Sequence, residues 1–69
     1  MNESKPIIHL LTQREREILT LISQGMLSKQ IAHHLTISEN TVSNHRKNML
    51  LKTQTKSSAE LIHLYSKYS

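Results

Sequence analysis

The residues best suited to chemistry lie between Ser38 and Lys52, in the stretch SENTVSNHRKNMLLK. Asn40, Asn44 and Lys47 recur there at intervals of three and four, as on one face of an α-helix, and Leu51 unexpectedly shares that face. Val42, Met49 and Leu50 fall on the opposite arc. An asparagine carboxamide carries a donor beside an acceptor and so matches the N6/N7 edge of adenine. A lysine ammonium can donate to guanine O6/N7 or equally to a phosphate. A face that is polar or basic and short of acid is suited to a DNA groove, so the chemistry expected is non-covalent recognition.

Covalent chemistry is not expected. None of the serines stands in a nucleophile-elbow context, and there is no paired-carboxylate or phosphate-loop signature, so the chain reads as no enzyme, with no cofactor. Five histidines (His9, His33, His34, His45 and His63) raise the question of a metal. Only His33 and His34 are close, and neighbouring helical side chains point about 100° apart, which makes a poor chelate. No metal site is expected. His45 is the histidine to follow. It comes three residues after Val42 and turns toward the core side, where it reads either as a half-buried ring bonded to backbone or as a phosphate contact, or as both.

The elements around this stretch are legible from their ends. Ser38 is an N-cap candidate, with Glu39 in the first turn and Lys52 in the last, each favoured by the helix dipole. Upstream, Thr12-Gln13-Arg14-Glu15 forms a capping box, with Leu11 placed for a hydrophobic staple. Ile18, Leu19, Leu21 and Ile22 make the buried stripe of this first helix, and Gly25 closes it. The alternation Arg14-Glu15-Arg16-Glu17 reads as a solvated, self-neutralising face. Ser28 is the next expected cap, followed by a short helix with Ile31, Ala32 and Leu35 inward. About three residues separate that helix from the one starting at Ser38. This is helix-turn-helix spacing, although an ordinary helical hairpin shares the periodicity. Within the first reading, Ala32 permits a close crossing, and Leu35 and Ile37 plug the angle. A second capping box, Ser57-Ser58-Ala59-Glu60, starts a last helix bearing Leu61, Ile62, Leu64, Tyr65 and Tyr68. That apolar surface either completes the monomer core or leaves a face for a partner.

At 69 residues there is room for one all-α domain, expected over 11–69 after a tail or linker over 1–10. Its core must be aliphatic, since Trp, Phe and Cys are absent and both tyrosines lie near the C-terminus. The lack of cysteine fits a cytoplasmic protein. No apolar run approaches the ~20 residues of a membrane span. The formal net charge is +4, and its placement says more than its size. Residues 1–25 and 60–69 are each neutral. The whole excess lies in 26–59, where Lys29, Arg46, Lys47, Lys52 and Lys56 face Glu39 alone. An acidic partner is implied.

Several of these segments together resemble the LuxR/GerE-type DNA-binding domain: Leu11-Thr12-x-Arg14-Glu15-Arg16-Glu17-Ile18-Leu19, Gly25, Ser28-Lys29-Gln30-Ile31-Ala32, Ile37 through Arg46, and Ser57-x-Ala59-Glu60-Leu61. The resemblance implies a four-helix helix-turn-helix domain whose third helix enters the DNA major groove. Such a domain is the C-terminal output module of bacterial response regulators and quorum-sensing regulators. It further implies base contacts from Ser43, Asn44 and Lys47, with Asn40 beside them, and phosphate contacts from Lys29, Thr41, His45, Arg46, Lys52 and Lys56. It implies dimerisation on DNA through the last helix (Leu61, Leu64, Tyr65 and Tyr68). The partners it implies are double-stranded DNA, a second copy, an upstream receiver or ligand-binding domain, and RNA polymerase. Four positions depart from the family pattern. Ser43 stands where Lys or Arg is usual, Gln54 where Gly is common, Thr53 where Leu is common, and Leu51 where a charged residue is common. The competing expectation is a small helical protein-interaction module using the last helix.

Overall fold

The computed structural model describes residues 7–68, with side chains described for 9–67. A 3₁₀ turn, Ile7–Leu10, precedes four helices: α1 (Gln13–Ser23), α2 (Ser28–Leu35), α3 (Glu39–Thr53) and α4 (Ser58–Tyr68). Among the described residues there is no strand, and none of the helices is long and apolar enough to cross a membrane. The all-α expectation therefore holds. The turn at Ile7–Leu10, within the segment expected as a tail or linker pinned by Ile7, Ile8 and Leu10, lies against α3 and α4.

Helix starts follow the capping chemistry with two adjustments. Thr12 Oγ1 accepts from the Glu15 N–H at 3.1 Å, and Glu15 Oε1 accepts from the Thr12 N–H at 2.9 Å, completing the expected box. Ser38 Oγ accepts from the Thr41 N–H at 3.0 Å. At α2 the cap position belongs to Leu27 rather than Ser28, which is the first helical residue. Leucine has no acceptor to offer. Gln30 Oε1 accepts from the Leu27 N–H at 2.8 Å, the half of a capping box that does not need a cap side chain, and Ser28 is left free for a longer-range contact. At α4, Ser57 Oγ accepts from the Glu60 N–H at 3.2 Å, but the Glu60 carboxylate takes the Lys56 N–H at 2.6 Å, one residue earlier than a capping box requires.

Three helix ends share one closure. Beyond α1, Met26 N–H donates to Leu21 O and Gly25 N–H to Ile22 O, with Gly25 at φ 90°. The same pair of bonds, six-to-one and five-to-two, recurs at Ile37/Thr36 after α2 and at Thr55/Gln54 after α3. There the left-handed residues are Thr36 (φ 60°) and Gln54 (φ 58°), neither of them glycine.

The core draws on every helix: Leu11, Ile18, Leu19 and Ile22, then Ile31 and Ala32, Val42 and Met49, and Leu61. Leu21, Leu35, Ile37, Leu50, Ile62, Leu64 and Tyr65 pack around it, half-buried. The α2–α3 pair makes the most extensive helix contact, and Ala32 of α2 is small and buried. α3 is thus held by α2 on one side and by α1 and α4 on others, and its remaining face is left to solvent.

Candidate nucleic-acid interface

Helical geometry sets the outward face of α3. Positions 40, 44, 47 and 51 fall within one narrow arc at 100° per residue, with 43 on its flank. Asn40, Ser43, Asn44, Lys47 and Leu51 are all exposed, and Leu51 is 68% so. Among the described residues none of Asn40, Ser43, Asn44 and Lys47 has a side-chain hydrogen bond or ion pair. Val42 and Met49, on the far side, are fully buried. The helix therefore presents unspent donors and acceptors on a surface fixed from behind.

The six residues carried over as phosphate contacts divide into two sets. Lys29 and Lys56 are exposed, and their ammonium groups have no partner among the described residues. Three of the others are committed within the protein. Thr41 Oγ1 lies 2.8 Å from Ser38 Oγ at the cap of α3. Arg46 donates through Nη1 to Ser28 Oγ at 2.6 Å and through Nη2 to Ser58 Oγ at 2.7 Å, so one guanidinium ties the start of α2 to the start of α4 across α3. Lys52 Nζ donates to Glu15 Oε1 at 2.7 Å. His45 is half-buried, and its Nδ1 is enclosed with no partner among the described residues, so the backbone bond expected for it is not made.

Glu15 corrects a second expectation. Rather than belonging to a solvated face, it is 2% exposed. Its position could have been found: it precedes Ile18 by three residues, Leu19 by four and Ile22 by seven, squarely on the apolar stripe. Burial opposes its charge, but the Lys52 hydrogen bond, the Thr12 N–H and the charge of Lys52 prevail and hold the carboxyl below its ordinary range. Arg16 is also taken up, donating to Leu11 O at 2.9 Å. The solvated part of the run is Arg14 with Glu17, an exposed pair at 3.4 Å. Ser28 and Ser58, as acceptors for Arg46, left no local signal, because they lie 18 and 12 residues away.

On α4, Leu61 is 1% exposed. It is a core residue, so its carry-over as a dimer contact is corrected: a side chain that fills the monomer cannot also meet a partner. Tyr65 is half-buried, and its hydroxyl lies 3.1 Å from Thr20 Oγ1, whose own proton goes to Arg16 O. Leu64 is half-buried against the core. The side chain of Tyr68 lies outside the described residues. No group of three or more metal-binding side chains occurs among the described residues.

The family model described as bacterial regulatory proteins, luxR family, matches residues 9–65, most of the chain. The chain belongs to that family. The nitrate/nitrite response regulator protein NarL of Escherichia coli K12 is 51% identical over 53 residues, which cover 77% of this chain and 24% of NarL. The spore germination protein GerE of Bacillus subtilis is 43% identical over 60 residues, covering 87% of this chain and 77% of GerE. The transcriptional regulatory protein FixJ of Rhizobium meliloti is 35% identical over 63 residues, covering 91% and 31%. No solved structure gives a significant match. The chain thus spans about a quarter of the length of NarL and about three quarters of GerE. The luxR-family match takes in α1 to α3 whole and most of α4, so the helix-turn-helix reading of α2 and α3 replaces that of a plain helical hairpin.

Proposed function

We propose that this luxR-family chain binds double-stranded DNA sequence-specifically in bacterial transcription regulation, with α3 lying in the major groove. The observation that carries the reading is the outward face of α3: Asn40, Ser43, Asn44 and Lys47, exposed and without intramolecular partners, on a helix anchored by buried Val42 and Met49. Asn44 or Asn40 reads adenine through a bidentate pair, Lys47 donates to guanine or phosphate, and Ser43 adds a short contact. Lys29 and Lys56 flank this face in sequence and supply phosphate neutralisation. Thr41, His45, Arg46 and Lys52 approach the backbone as well, with their heads already oriented by the protein in three of the four cases. Two copies bind two half-sites, and α4 brings Leu64, Tyr65 and Tyr68 to the contact between them. An upstream receiver or ligand-binding domain supplies the signal, and RNA polymerase receives the output.

Binding-site selection from random duplexes, followed by anisotropy titrations at several salt concentrations, tests the reading. The expected result is an enriched sequence, bound with an affinity that falls steeply with salt. Asn44→Ala should relax preference at one base pair of each half-site. Good bidentate pairs contribute about 1–3 kcal/mol of discrimination. An Asn44→Ala protein that weakens on every duplex alike would remove the base-reading role. Salt-insensitive binding, or none, would favour a protein partner instead.

A further inference from the structure

Leu51 is not accounted for by the fold. The core side of this part of α3 is already supplied by Met49, fully buried, and Leu50, half-buried, while Leu51 is 68% exposed. An exposed leucine alone means little, since folded proteins keep much apolar surface in contact with water. Its alignment is what matters. Leu51 continues the arc of Asn40, Asn44 and Lys47, the side chains left without intramolecular partners, and it stands within the segment that carries the whole positive excess of the chain. The other exposed leucines, Leu10 and Leu27, lie outside α3.

An apolar side chain in line with groove-facing amides has one specific target in DNA. Thymine alone of the four bases carries a C5-methyl group into the major groove. Seven residues separate Asn44 from Leu51, a rise of about 10.5 Å, so the two side chains meet different base pairs. We propose that Leu51 reads a thymine methyl at a base pair other than the one contacted by Asn44, making the footprint of α3 two-part, polar at its front and apolar at its rear. The inference rests on the groove reading of the preceding subsection and adds to it a residue and a base.

The test uses the full 69-residue chain and a duplex recovered by selection, with each thymine replaced in turn by deoxyuridine, which lacks only the methyl. One thymine per half-site should show a loss of affinity of about fourfold, the equivalent of one buried methyl-sized group. Leu51→Ala should bind the thymine and deoxyuridine duplexes equally. Because Leu51 is exposed, this variant should keep the helical circular-dichroism spectrum and melting temperature of the parent. If no thymine methyl matters, or if Leu51→Ala keeps the methyl sensitivity, the inference is overturned. In that event relaxed specificity in Asn44→Ala shows that groove reading still stands. A selection that returns no preferred sequence overturns both.

Discussion

Glu15 shows how one residue can serve a helix end, the core and a cation together. Its carboxylate closes the cap of α1 and receives Lys52 from α3, and it does so at a position the apolar stripe would otherwise give to leucine. Its lowered pKa fixes the sign of a pH dependence. A carboxyl that loses its proton more readily when folded contributes stability that is fully present above its ordinary value of 4.5 and lost as pH falls through the lower folded value. Glu15→Gln keeps the shape but removes the charge facing Lys52. At neutral pH it should cost about 1.5 kcal/mol, the low end for a hydrogen bond to a charged group, because Lys52 is partly solvated. Urea melts of the two proteins should differ by that amount at pH 7 and converge as pH falls through the lowered folded value. A difference unchanged at low pH would mean that packing, rather than charge, is what Glu15 supplies.

At the scale of elements, the turn between α2 and α3 sets the angle at which the outward face is offered, and it is built on an unfavourable residue. Thr36 is β-branched and sits at φ 60°, where a side chain crowds the backbone at about 1–2 kcal/mol. Glycine removes that crowding but adds freedom to the unfolded chain, which returns about 0.4–1 kcal/mol. Thr36→Gly should therefore raise stability by roughly 0.5–1 kcal/mol, read as a higher urea midpoint at unchanged slope. A lower midpoint would show that the threonine side chain makes a contribution its exposed position does not suggest. The turn also marks where sequence reading stopped. Ser38, Thr12 and Gly25 announce their roles within a few residues, because caps are local, and periodicity tells inside from outside in α3 and for the apolar residues of α1, though Glu15 reads there as solvated. Leu27 at the cap of α2 gave no such sign, since the acceptor that satisfies it belongs to Gln30. The left-handed residue Thr36 was equally silent, as it is not glycine, and Gln54 was marked only by the glycine common at its place in the family. The outward face of α3 was legible because it needed only spacing. The partners of Arg46 and Lys52 were not, because they are set by how four helices meet.

For the molecule as a whole, the five basic residues of the central segment fall into two sets, although composition counts them alike. Arg46 and Lys52 are spent on joining helices: Ser28 to Ser58 through one, α1 to α3 through the other. Lys29, Lys47 and Lys56 are exposed and without partners among the described residues, and they are the cations free to displace counterions from a DNA backbone. The two sets should separate by measurement. Lys29→Ala and Lys56→Ala should leave the urea midpoint where it is. Each should lower the slope of log affinity against log salt by about 0.9, the value for one neutralised phosphate. Arg46→Lys should do the reverse. An ammonium is a compact donor without the planar fork, so it cannot hold Ser28 and Ser58 in the same way. Loss of one hydrogen bond to a charged donor should lower stability by about 1.5–3 kcal/mol, while a charge retained at the same place should keep the salt slope close to that of the parent. If Arg46→Lys left stability untouched and changed only DNA binding, the phosphate contact would be the whole of its role and the clamp between α2 and α4 would be incidental. If Lys29→Ala or Lys56→Ala shifted the midpoint instead, the division between joining and binding cations would fail at that residue.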